Sequence, residues 1–206
     1  MGSGGEKIED KARQVLLATQ LFFFAVIAIC VLISHSATTE NDGISFFAVY
    51  HLTIPLIVPG FCVAAYGMWR TAAYFASSDA PQLTVLGLRV IAVGLLLLLV
   101  TPFNRGTVLN WTHMTIGVLV ALVELVICFL LLVQHRAPGS VAAFFVALAG
   151  GIIAAFSLPD WHFEYLLQGE IVYEIGFSWC LIEWTYALHA RRAVFGATAL
   201  CPDVAQ

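Results

Sequence analysis

His51, His113 and His162 fall near Asp160, Glu164 and Glu170 at the ends of apolar stretches, and together they are the side chains of this chain best able to do chemistry. Imidazoles and carboxylates suit zinc or another divalent ion, and three such ligands plus a water would hydrolyse an ester or amide. The spacing matches no HExxH-type motif, and no nucleophile motif accompanies it. His35, Arg105 and Asn110 belong to the same rim, and Trp111, Trp161 and Tyr165 read as an interfacial aromatic belt. For haem, two histidines must face each other at one depth, and His51 with His113 is the pair the pattern offers.

Charges inside the apolar stretches carry the next signal, because they are costly in hydrocarbon and tend to face a bundle interior. Arg89 lies about two turns into the third stretch and Glu183 at a similar depth in the sixth, which predicts an ion pair. Glu124 falls near the middle of the fourth stretch with no basic residue at its depth, so it needs either a proton or a bonded neighbour. The polar residue aligned with it on its own helix is His113, eleven residues earlier. Glu170 and Glu174 form an i,i+4 pair in which like charges repel. These carboxylates predict a polar path from the rim toward mid-membrane.

The elements that must position these groups follow from composition and run length. Hydrophobic residues make up 61% of the 206 and charged residues 11%, against about a quarter charged in an average soluble domain. Six stretches suffice to cross a ~30 Å hydrocarbon core: Val15 to Ser34, Phe46 to Tyr66, Leu83 to Thr101, His113 to Val133, Val141 to Leu158 and Leu166 to Leu188. The expected fold is all-α, a polytopic membrane protein built as a bundle of six transmembrane helices. A 1–14 tail precedes the 15–189 domain and a 190–206 tail follows it, and no linker is long enough to hold a separate domain. Pro55, Pro59 and Gly60 predict a kink in the second stretch, while Gly150 and Gly151 predict a close helix approach in the fifth. Eight of the nine Lys and Arg residues fall on one side, so both termini are expected to be cytoplasmic, the orientation a reporter fused at Gln206 reads. The net charge of −4 includes no basic field, which sets nucleic acid aside. The five cysteines show no CxxC spacing and read as small core residues.

Four segments also carry a family resemblance: Asn41-Asp42-Gly43-Ile44-Ser45 before the second stretch, Pro102-Phe103-Asn104, His113 heading the fourth, and Leu167-Gln168-Gly169-Glu170-Ile171 opening the sixth. With six helices and inside termini, the chain resembles the DRAM and FGF-receptor-activating-protein family and its prokaryotic relatives. Glu170 stands where many of those relatives have a basic residue. The resemblance implies a lipid-linked role and supplies no agreed catalytic set.

Three functions are compatible with these residues. The leading expectation is a cell-membrane protein that binds lipids or a membrane-protein partner through an outward-facing polar cavity where His51, His113 and His162 converge with Glu170. The second is a metal-dependent or acid–base enzyme acting on a lipid or small amide, with a divalent metal on the rim residues. The third is a small transporter, channel or haem protein in which Glu124 relays protons.

Overall fold

The computed structural model describes residues 3–34, 41–77, 80–157 and 164–199, with side chains described between 10 and 187 of these. Among them are six α-helices, one short 3-10 helix and no strand. The helices are α1 (Ser3–Ser34), α2 (Ile54–Ala76), α3 (Gln82–Val100), α4 (Thr107–Gln134), α5 (Pro138–Phe156) and α6 (Leu166–Ala199), and the 3-10 helix spans Ile44–Ala48. Each packs on its neighbour in the chain, and α6 closes the arrangement against α1 and α4.

Four helices, α1, α3, α4 and α5, are long and apolar enough to cross a membrane. At 1.5 Å per residue the 19 residues of α3 extend about 28 Å, close to the thickness of a hydrocarbon core. Large apolar side chains face outward around the bundle, Leu32, Val108 and Val100 among them. Such a surface suits lipid and would be a liability in water. Arg70 interrupts the apolar run of α2, and Glu170, Glu174 and Glu183 interrupt that of α6.

The structure moves several expected boundaries. The second helix starts at Ile54, not at Phe46, because the chain first makes the 3-10 turn and then a bend through 49–53. Thr53 Oγ1 donates to Phe47 O at 2.8 Å and to Tyr50 O at 3.1 Å, tying this bend to the helix start. Pro55 sits in the first turn, where its missing N–H costs nothing, so Pro59 alone stands inside the helix. The same helix continues through Gly67, expected in a linker, and packs closely on α1 there: a Cβ would lie 2.1 Å from Thr19 Oγ1. The fourth helix begins at Thr107, so His113 lies about two turns inside it rather than at its head.

The closest helix pair is α5 with α6. A Cβ on Gly150 would stand 2.2 Å from Tyr173 N, one on Gly176 2.2 Å from Ala147 N, and one on Gly169 2.4 Å from Ala154 N. Backbone therefore meets backbone along the seam, with Ala143 and Ala147 completing its small-residue surface. Gly151, also expected to allow close approach, meets only the Tyr173 ring edge at 3.2 Å. This seam fixes the rotation of α6 and so aims its carboxyls toward α4 and toward the segment before α2.

Candidate functional site

The segment Gly43-Ile44-Ser45 is held from two helices at once. Glu170 Oε2, in the first turns of α6, accepts the Ile44 N–H at 2.6 Å. Gly43 makes room for that carboxyl: its φ of 67° favours glycine, and a Cβ would stand 2.4 Å from Glu170 Oε2. On the α4 side, His113 Nε2 lies 2.7 Å from Ser45 Oγ and His113 Nδ1 lies 2.7 Å from Thr101 O. A carbonyl only accepts, so Nδ1 carries the hydrogen, and the neutral ring takes the Ser45 hydroxyl hydrogen at Nε2. Phe103 stacks obliquely on the same imidazole at 6.0 Å between centroids. Asp42 borders this clamp, and burial pushes its carboxyl above the usual carboxylate range.

Segment 43–45, Phe103, His113 and Glu170 thus meet at one place. The four-residue convergence expected at the rim takes a different form. His113 and Glu170 reach the same loop through neighbouring residues, whereas His51 is exposed with its ring 5.0 Å from that of Tyr50. His162 and Asp160, like His35 and Trp161, lie outside the described residues. Glu164 is exposed. Among the described residues no three His, Cys, Asp or Glu side chains are grouped to hold a metal ion. A haem pair of His51 and His113 is also not what forms, since both ring nitrogens of His113 are bonded to protein. Trp111 and Tyr165 are exposed, as interfacial belt residues are.

Inside the bundle, Glu124 is 2% exposed and lies within the charge field of Glu174, which in turn feels Glu170. The charged group nearest in effect to Glu124 is thus a carboxyl on α6, while both ring nitrogens of His113 are bonded to Ser45 and Thr101. The buried thiols of Cys128 and Cys180 are neighbours across the same α4–α6 contact, near Glu124 on one side and Glu183 on the other. Tyr173 O–H donates to Ala121 O, and Ser178 Oγ donates to Gln20 Oε1 of α1 at 3.0 Å. From Glu170 to Glu183 this row of polar side chains extends about 20 Å along α6. Carboxyls in such a row can take and release protons, and no Lys or Arg neutralises them by a direct ion pair among the described residues, where Arg13 with Asp10 is the pair that forms.

The expected ion pair of Arg89 with Glu183 is corrected. Glu183 accepts from Trp179 Nε1 at 3.1 Å and sits against Gly139 at the start of α5, where a Cβ would stand 2.6 Å from its carboxyl. Arg89 instead lies over the Trp69 ring, 5.6 Å from its centroid. Equal depth is not sufficient, because α3 packs on α2 and α4 while α6 packs on α5, α4 and α1, which leaves the two charges on different faces.

On the outer face of the bundle, α3 and α4 leave an apolar groove of about 340 Å³. Val90, Val93, Leu97 and Leu119 form its walls, and Arg89 and Trp69 also line it. Gly94 makes the floor, its hydrogen facing Val120, where a Cβ would stand 2.3 Å from Val120 Cγ2. Neither the groove nor the thiol pair was legible in the sequence, since both are made by residues on different helices. Besides His113 and Glu170, Gly43 in an Asn-Asp-Gly run was a local signal of the clamp, a turn residue before an apolar helix. Ser45 and Thr101, which hold His113, had no such signal. Compared with known proteins, the chain matches no family model, no curated protein and no solved structure.

Proposed function

We propose that this chain is a six-span protein of the cell membrane, with both termini cytoplasmic, which binds a membrane lipid in the groove between α3 and α4. The groove carries the reading: its walls are apolar, Val90, Val93, Leu97 and Leu119 are open to the surroundings, and its volume of about 340 Å³ falls within the ~300–1,000 Å³ typical of ligand pockets. An acyl chain is what a bilayer offers to such a surface. The rim, expected to be the binding cavity, uses the polar atoms of His113 and Glu170 on its own loop. The resemblance to a family with lipid-linked members leans in the same direction. Val93→Phe fills the groove from a half-exposed wall position, so lipid retained through purification, counted by native mass spectrometry, is expected to fall several-fold. Unchanged retention rejects the groove.

The carboxyl row supports a second reading, a small proton-coupled transporter in which Glu124 binds the proton. In sealed vesicles, Glu124→Gln is then expected to abolish a protein-dependent proton flux driven by a pH gradient. A wild-type protein that carries no flux rejects it.

A further inference from the structure

Arg89 is an exposed guanidinium on an apolar helix, and among the described residues no carboxylate lies within ion-pair distance of it. Its one close partner is the Trp69 ring, and Glu183, the acid at comparable depth, is bonded elsewhere. An arginine in this position has two outlets: its stem can carry the head group out to the interface, or an anion can come to it. The location favours the second, because Arg89 lines an otherwise hydrocarbon groove with its stem and holds its guanidinium beside it, over the Trp69 ring. A phosphate on the guanidinium would be held bidentately. Trp69, an amphipathic ring of the kind that sits at head-group level, would flank it.

We propose that the groove is selective for an anionic phospholipid, with the phosphate on Arg89 beside Trp69 and an acyl chain running along Val93 and Leu97 toward Ile116. This rests on the lipid reading above and adds the head-group class to it. The nearby Arg70 does not belong to the site: it is exposed, lies over the Tyr66 and Tyr74 rings, and donates to Tyr74 Oη at 3.0 Å.

The test uses the full-length protein titrated with phosphatidylglycerol and phosphatidylcholine of identical acyl chains, bound lipid being counted by native mass spectrometry. Wild type is expected to prefer phosphatidylglycerol by about tenfold, a difference of about 1.4 kcal/mol. Arg89→Gln is expected to lower phosphatidylglycerol binding about tenfold, to the phosphatidylcholine level, with the unfolding temperature unchanged, and Arg70→Gln to keep the preference. Millimolar inorganic phosphate is expected to displace nothing. A preference that survives Arg89→Gln, or that Arg70→Gln removes equally, overturns the assignment of the head group while the groove still binds lipid. Displacement by inorganic phosphate overturns it too, since a free anion would then be the ligand. If Val93→Phe leaves retention unchanged, the groove reading fails and this assignment fails with it.

Discussion

Gly176→Leu is expected to leave no stable bundle, whereas Gly117→Ala is expected to be neutral or stabilising. At Gly176 even a methyl would stand 2.2 Å from Ala147 N and 2.6 Å from Ala147 Cα. The neighbour is backbone and cannot rotate away, so α5 and α6 must separate along a seam that also includes Gly150 and Gly169. Overpacking against side chains costs about 1–3 kcal/mol, and a rigid neighbour sets the cost at or beyond the top of that range. Separation would also rotate Glu170 and Glu174 off their partners. At Gly117 the nearest atom to a new Cβ is Leu98 Cδ2 at 4.0 Å, an ordinary contact. A helical glycine with free space gains roughly 0.5–1 kcal/mol on becoming alanine. Thermal unfolding in detergent, read by size-exclusion chromatography, measures both; a Gly176→Leu protein that elutes like the parent with an unshifted midpoint would refute the seam.

Glu170→Ala and His113→Ala are expected to free the same loop, and their effects should not add. Glu170→Ala leaves the Ile44 N–H buried without its acceptor, and His113→Ala does the same to Ser45 Oγ and Thr101 O. An orphaned buried polar group costs about 1–3 kcal/mol. Once one clamp is gone, the loop has less order for the other to preserve, so the double variant should lose less than the sum by more than about 0.5 kcal/mol. Hydrogen exchange locates the effect: the Ile44 amide, protected in the parent, should exchange faster in Glu170→Ala while amides of α3 do not change. If the Ile44 amide exchanges at the parent rate in both variants, the loop is held by something else. Gly43→Ala offers a third entry to the same site, because it strains φ and drives a methyl into the Glu170 carboxyl.

The corrections share one cause. Arg89 and Glu183 were paired by depth, and Glu124 was aligned with His113 by helical periodicity. Depth and periodicity describe one helix at a time, whereas contact requires knowing which face of one helix meets which face of another. In this bundle glycines permit several of those approaches: Gly94 against Val120, Gly139 against Glu183, and Gly150, Gly169 and Gly176 in the α5–α6 seam. A glycine is a weak signal in sequence because it also marks turns, and Gly67, expected in a linker, is a helix contact with Thr19.

The sequence by itself determined that this is an all-helical chain with long apolar elements, and it placed α3 within one residue at each end and α5 within three. Those properties are local, since a run of apolar residues long enough for hydrocarbon must satisfy its backbone hydrogen bonds within itself. It also singled out His113, Glu170 and the Gly43 segment, because polar or turn-forming residues beside apolar runs stand out by composition. Only the tertiary structure decided that these three meet, that His51 stays outside, that Glu124 faces Glu174, and that Arg89 lines a groove rather than forming an ion pair. Each of these depends on the rotation and spacing of whole helices. That geometry is set by the sum of many small contacts, and no single segment encodes it.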